Sequence, residues 1–126
     1  MFARILAASV GIASVGLFES STLAASYRWK CEYTHVASSD GLKQERLSLE
    51  FALDDIARKA VIIGNAGVSD VDVHVGTNGV TFMEKLPGGV VQTTTIARNG
   101  TSVHSRHTII PPEIIPSQYY GSCAQQ

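Results

Sequence analysis

Residues 70–110 read DVDVHVGTNGVTFMEKLPGGVVQTTTIARNGTSVHSRHTII, and this stretch decides the fold class. The stiff β-branched residues Val, Ile and Thr favour strands over helices, and they make up 21 of the 51 residues from 60 to 110. Turn sequences rich in Gly, Asn and Pro recur about every ten residues, which is typical of a sandwich or small barrel. The sequence therefore predicts an all-β protein, a small antiparallel meander of seven or eight strands forming a barrel or sandwich.

Eight segments between the turns carry strand signals. They are residues 28–36, 47–53, 59–63, 70–75, 80–86, 90–97, 101–110 and 117–123. The second segment is ambiguous, because Leu49, Leu53 and Ile56 also lie at helical spacing among helix-forming residues. Strand is favoured there, since apolar and polar residues alternate from Leu47 to Leu53 and the following Asp54-Asp55 is typical of a turn.

Residues 1–25 have the pattern of a secretory signal peptide. Arg4 precedes an apolar run over residues 5–18, and small residues surround Ala24 and Ala25. The run is shorter than the roughly 20 residues that span a bilayer. We expect a signal peptide at 1–25, a single β-rich domain at 26–126, and a secreted, periplasmic protein with no membrane span in its mature form.

Cysteines and charge limit the classes of partner. An even number of cysteines in an exported chain predicts a disulfide between Cys31 and Cys123. The net charge is -1 and no Lys/Arg cluster is present, so no nucleic-acid partner is expected. The glycine-rich segments 64–67 and 88–89 lack the lysine of a phosphate loop and the dinucleotide-binding fingerprint, and no cofactor is expected.

The two Asn-Gly pairs predict the pairing of the central strands. Each is expected to form a two-residue type I′ hairpin, because both central positions of that turn need positive φ. The first turn places Val75 opposite Phe82 and aligns Asp72 with Lys85 as an ion pair. The second places Ile96 opposite Val103.

The same registers predict a polar row inside the barrel. The second hairpin puts Gln92 opposite His107 and Thr94 opposite Ser105, and the turn at 87–89 puts Glu84 beside Gln92. A buried carboxylate needs hydrogen-bonding partners, which an amide and an imidazole supply. The candidate binding residues are therefore Glu84, Gln92, Thr94, Ser105 and His107. The alternatives are a purely structural hydrogen-bond network, or a one-residue slip in the turn that removes the row.

Catalytic and metal sites are less well supported by the sequence. Ser105, His107 and Glu84 are the residue types of an acyl-transfer triad, but no G-x-S-x-G elbow or oxyanion hole is identifiable. His104 and His107 would point to opposite faces of a strand, and His74 lies on a strand face with acidic neighbours, so no metal site is expected. A small hydrolase or metal protein using Glu84 and His107 remains an alternative to a non-enzymatic protein.

The overall plan of the chain resembles bacterial periplasmic inhibitors of C-type lysozyme, which are exported, all-β, about as long, and have cysteines near both mature ends. That family contacts its target through a Ser-Gly-x-x-Tyr loop. Here Tyr119 follows Pro116-Ser117-Gln118 and Tyr27 follows Ala24-Ala25-Ser26, so no inhibitor residue is carried over. We expect a periplasmic binding or envelope-associated protein whose partner is a small molecule or an envelope protein. The alternative is an inhibitor that blocks a secreted enzyme through a hairpin loop.

Overall fold

Residues 27–126 form an eight-stranded antiparallel barrel. These are the residues that the computed structural model describes, and the predicted signal peptide at 1–25 lies outside them. The strands are β1 (Tyr27–Ser38), β2 (Gly41–Asp54), β3 (Lys59–Gly64), β4 (Gly67–Val75), β5 (Gly79–Lys85), β6 (Val91–Ala97), β7 (Thr101–Ile110) and β8 (Glu113–Gln125). Each strand pairs with the next and β8 pairs with β1. The all-β prediction is confirmed, and the closed pairing makes the fold a barrel.

The second segment is a strand, so its helical alternative is wrong. β2 spans Gly41–Asp54, and Leu49, Phe51 and Leu53 are buried at alternate positions along it. Asp54 ends the strand. Its carboxylate accepts hydrogen bonds from the backbone N–H groups two and three residues later, at 3.2 and 3.0 Å, which fixes the turn into β3.

The predicted disulfide lies where the barrel closes. Cys31 of β1 is directly opposite Cys123 of β8, and their sulfurs are bonded. The register of β1 shifts between Tyr33 and His35 against both neighbouring strands, which is a β-bulge. Because of this extra residue, Tyr33 and Val36 are both buried although they are three positions apart.

The middle of the barrel is packed with aromatic rings. Phe51 and Phe82 stack with their ring centroids 4.4 Å apart, and Trp29 meets Phe82 edge-on at 5.6 Å. Burying one such side chain contributes roughly 1.5 to 3 kcal/mol. The buried cluster also contains Cys31, Tyr33, Leu49, Leu53, Ala60, Ile62, Val80 and Ile96. These residues come from β1, β2, β3, β5 and β6, so the interior beside β7 is left to more polar side chains.

The two ends of the barrel differ, and we name each after an interior residue near it. The Trp29 end carries Tyr27, Gln126 and the turns that follow β2, β4 and β6. The Glu84 end carries the turns that follow β1, β3, β5 and β7. Functional groups at the two ends are therefore separated by the aromatic core.

A hairpin arm, residues 107–116, projects beyond the Glu84 end. Pairing with neighbouring strands stops at Arg106 of β7 and at Ser117 of β8, and no third strand of the described chain pairs with the arm. Ile110 and Ile114 near its tip are 55% and 65% exposed. An isolated two-stranded hairpin is marginally stable in water. The arm is thus a protrusion with an apolar tip and lies outside the core.

Candidate functional site

The first hairpin turns one residue earlier than predicted, with the N–H of Gly76 donating to the carbonyl of Gly79 at 2.9 Å. β4 pairs with β5 so that Val75 lies opposite Val80, and the predicted partner Phe82 is two residues further on. A shift of two residues keeps every side chain on its original face of the sheet. The Asp72–Lys85 ion pair still forms, with Oδ2 and Nζ 3.8 Å apart.

The second hairpin shifts by one residue, and this reverses the faces of β7. Ile96 lies opposite Ser102, where the prediction has Val103. A one-residue shift moves each side chain to the other side of the sheet. His104 is consequently inside the barrel and only 4% exposed, whereas His107 lies on the outer face and is exposed. The predicted inward position of His107 is wrong.

The cause of this shift is the conformation of the turn at Asn99-Gly100. The N–H of Gly100 donates to the carbonyl of Ala97 at 2.9 Å, and Gly100 has φ of 94°. This is a three-residue loop, a type I turn followed by a left-handed residue. A type I′ turn would need positive φ at Asn99, but among residues 27–126 the only non-glycine with positive φ is Arg58.

The first two members of the predicted row do lie together. Glu84 is opposite Gln92 across β5 and β6, and the amide of Gln92 donates to the carboxylate of Glu84. This part of the register prediction is confirmed. The β7 neighbour of Gln92 is Arg106 rather than His107, so the row ends in a guanidinium instead of an imidazole.

The other predicted site residues are separated by the sheet. Thr94 lies inside and is 2% exposed, whereas Ser105 lies on the outer face of β7 with His107. Because Glu84 points inward, the three residue types of an acyl-transfer triad are not brought together. His74 is exposed on the outer face of β4. Across residues 27–126, no group of three or more His, Cys, Asp or Glu side chains is placed to hold a metal ion.

A buried polar network replaces part of the predicted row. The hydroxyl of Tyr33 lies 2.8 Å from Oγ of Ser102, which in turn donates to the carbonyl of Thr95 at 2.9 Å. Thr94 Oγ1 lies 2.7 Å from Nδ1 of His104. These contacts satisfy polar groups that would be costly to bury alone. Sequence reasoning missed this network because it assigned the wrong face of β7 to the interior.

Tyr119 covers the network at the Glu84 end. Its ring centroid lies 6.1 Å from that of His104, and its hydroxyl donates to Oε2 of Glu45 at 2.5 Å. The hydrogen bond to this carboxylate, together with burial, raises the pKa of Tyr119. The ring of Tyr119 thus lies against His104, and its hydroxyl is bonded to an exposed carboxylate.

Burial keeps the central network uncharged. It lowers the pKa of His104 to about 4, an effect that the positive charge of Arg106 strengthens and Glu84 opposes. Burial also raises the pKa of Tyr33 to about 12, while its hydrogen bond to Ser102 acts in the other direction. Both side chains are thus neutral at pH 7, which fits a structural role for the network.

The pKa of His104 predicts a loss of stability in mild acid. The unfolded chain binds a proton near pH 6.5 and the folded protein only near pH 4, so stability is lost as the pH falls between these values. The loss attributable to His104 is roughly 3 kcal/mol. In urea unfolding at several pH values, the free energy of unfolding should fall more steeply with decreasing pH for the wild-type protein than for His104→Gln. Equal slopes for the two proteins would contradict the buried, neutral state of His104.

A cavity of about 650 Å³ opens at the Trp29 end of the barrel. Leu53, Val80 and Ile96, which belong to the apolar core, form its floor, and Tyr27 and Trp29 form part of its wall. The two aromatic rings are stacked with centroids 6.0 Å apart. The cavity is thus lined by two aromatic rings as well as by apolar core residues.

The rim of the cavity is charged. Asp55, Arg58 and Arg98 line it, so its ionisable side chains carry two positive charges and one negative charge. Nη1 of Arg98 donates to the carbonyl of Thr77 at 3.2 Å, and its backbone N–H donates to the carbonyl of Asn78 at 3.0 Å. These bonds join the loops after β4 and β6, and hold Arg98 beside the opening.

No local sequence pattern predicted this cavity. Its lining comes from five separate places, represented by Tyr27, Arg58, Thr77, Arg98 and Gln125, that only barrel closure brings together. No protein-family model, curated protein or solved structure matches this chain. In the part of the chain that the structure describes, no helix is both long and apolar enough to cross a membrane. The candidate site is therefore defined by the geometry of the barrel.

Proposed function

We propose that this protein is a non-enzymatic binding protein that holds a small molecule in the cavity at the Trp29 end. The observation that carries the proposal is the apolar floor and charged rim within one opening. Small-molecule sites are typically concave and mostly apolar, with a few polar groups that orient the ligand, and enclose on the order of 300 to 1,000 Å³. The cavity of about 650 Å³ falls within that range.

The frame around the cavity supports a preformed site. Trp29 lies two residues from the disulfide-bonded Cys31, and Asp54 fixes the turn that carries Arg58. Arg98 is held by the loop that contains Thr77. A rigid site loses less conformational entropy when a ligand binds. These contacts favour a cavity that exists before the ligand arrives.

We place the protein outside the cytosol, in the periplasm. Two features support this part of the proposal: the signal-peptide pattern at residues 1–25 and the bond between Cys31 and Cys123. Disulfides persist in oxidising compartments and are rare in the cytosol. The near-neutral charge of the chain gives no basis for binding nucleic acid.

Chemical-shift mapping with the neutral probe 4-phenylbutanol tests the cavity directly. Trp29 is the single tryptophan, so its indole N–H gives one unambiguous signal. We expect that signal and the amides of Val80 and Ile96 to shift together with a single saturation curve. The amides of the hairpin arm, such as Ile110, serve as the internal control and should not move. No shift at Trp29 with either this alcohol or the corresponding carboxylate, 4-phenylbutanoate, or larger shifts in the arm, would overturn the proposed site.

A second candidate function is inhibition of a secreted enzyme by the hairpin arm. The observation in its favour is the projection of residues 107–116 beyond the barrel with Ile110 and Ile114 exposed. Exposed apolar patches on a protrusion are typical of protein contacts. A convex arm of this kind suits insertion into the active-site cleft of a lysozyme-like enzyme.

Peptidoglycan hydrolysis by a C-type lysozyme tests this second function. Inhibition by the wild-type protein in molar excess, abolished in the double variant Ile110→Asp, Ile114→Asp, would support it. Both side chains are exposed, so the variant should keep the circular dichroism and melting temperature of the wild type. Uninhibited hydrolysis in the presence of the wild-type protein would rule out this target.

A further inference from the structure

We propose that the ligand of the Trp29-end cavity is a small organic carboxylate with an apolar body, whose carboxylate is bound by Arg98 and Arg58. This inference rests on the proposed binding function and adds the chemical class of the ligand. The apolar body would occupy the space between the core residues of the floor and the ring of Trp29.

The charge of the rim selects an anion. Arg58 and Arg98 line the cavity with Asp55, giving an excess of one positive charge in a chain whose net charge is -1. The neighbouring carboxylate of Asp54 does not line the cavity and accepts two backbone N–H groups of its own turn. The positive rim is therefore a local feature and does not follow from the overall charge of the protein.

Arg98 is positioned to bind a planar anion. A guanidinium carries five N–H donors in a flat fork, and the bond to the carbonyl of Thr77 uses one of them. Because that bond anchors one nitrogen, the side chain loses less freedom when it binds a ligand. Arginine forms paired hydrogen bonds to carboxylates, which are roughly twice as strong as those between neutral groups.

The rest of the cavity favours an apolar body attached to the carboxylate. Val80 and Ile96 are buried core residues that form part of the cavity floor, and the stacked rings of Tyr27 and Trp29 line the same cavity. An apolar group placed there is removed from water on several sides. A fully hydrophilic anion would leave this surface uncovered, so charge alone does not describe the ligand.

Comparison of 4-phenylbutanoate with 4-phenylbutanol tests the ligand class, with the Trp29 indole signal and calorimetry as readouts. The two probes share an apolar body and differ in the charged group. We expect the carboxylate to bind about tenfold more tightly, equivalent to about 1.4 kcal/mol. Arg98→Gln and Arg58→Gln should each reduce that preference without weakening binding of the alcohol. Raising the salt concentration should weaken binding of the carboxylate but not binding of the alcohol.

Arg46→Gln provides the matched control, since Arg46 is an exposed arginine on β2 that does not line the cavity. It should leave both affinities unchanged. If the alcohol shifts the Trp29 signal but the carboxylate binds no more tightly, the ligand class is wrong and the binding cavity stands. If neither probe shifts that signal, the binding cavity itself is wrong. If Arg46→Gln lowers the carboxylate affinity as much as Arg98→Gln, the preference reflects overall charge and the proposed role of the rim is contradicted.

Discussion

Removing the bond between Cys31 and Cys123 is expected to lower the free energy of unfolding by about 4 to 5 kcal/mol. The bond joins residues 92 positions apart, and so restricts nearly the whole described chain in its unfolded state. It also connects β1 to β8, the strand pair that closes the barrel. Urea unfolding of the oxidised and fully reduced wild-type protein measures the difference.

The double variant Cys31→Ala, Cys123→Ala separates the bond from the packing of its sulfurs. Cys31 is fully buried, so alanine at this position also creates a small void. The variant should be slightly less stable than the reduced wild-type protein. Equal stability of oxidised and reduced protein would show that the disulfide contributes little to the barrel.

Gly121→Ala is expected to destabilise the barrel by about 3 kcal/mol or more, because β8 passes very close to β1 at this point. A Cβ on residue 121 would lie 2.1 Å from the carbonyl oxygen of Glu32 and 2.6 Å from Cα of Tyr33. Both are backbone atoms, so relief requires the two strands to separate. The melting temperature and the free energy of unfolding in urea should both be lower for the variant than for the wild-type protein.

Gly64→Ala is the matched control for this substitution. A Cβ there would meet only Cδ2 of Leu49, at 3.5 Å, an ordinary van der Waals contact. Replacing glycine at an unstrained position tends to stabilise a protein slightly, since the unfolded chain loses freedom. A similar loss of stability in both variants would mean that the close approach of β1 and β8 at Gly121 is not the cause of the destabilisation.

The fold class and strand positions could be predicted from the sequence because they depend on local patterns. Alternation along β2 placed Leu49, Phe51 and Leu53 on one face, and that face is buried. The pairing of Glu84 with Gln92 was also predictable, since it depends on one short turn. The choice between sandwich and barrel depends instead on β1 meeting β8, which no local pattern specifies.

The inward-facing residues of β7 show how an error in one predicted turn leads to an error in the predicted site. Asn99-Gly100 is compatible with a two-residue and with a three-residue loop, and the two differ by one residue in register. The three-residue loop places His104 inside and His107 outside. A hydrophobicity pattern could not decide between them, because both faces of β7 mix polar and apolar residues.

The candidate cavity was not predictable for a different reason. Tyr27, Arg58 and Arg98 each belong to a separate turn or strand end, and nothing in the neighbourhood of any one of them signals the others. Their proximity follows from strand order and barrel closure. A correct list of strands is therefore insufficient to find a site at the end of a barrel.

A crystal structure of the protein with bound 4-phenylbutanoate would test the central claim most directly, namely that the Trp29 end is a ligand-binding site. We predict density for the phenyl ring against Trp29 and Val80, with the carboxylate within hydrogen-bonding distance of Arg98. The claim would be contradicted by density for the probe at the hairpin arm. It would also be contradicted by the absence of probe density in the cavity of crystals grown with a saturating concentration of the probe.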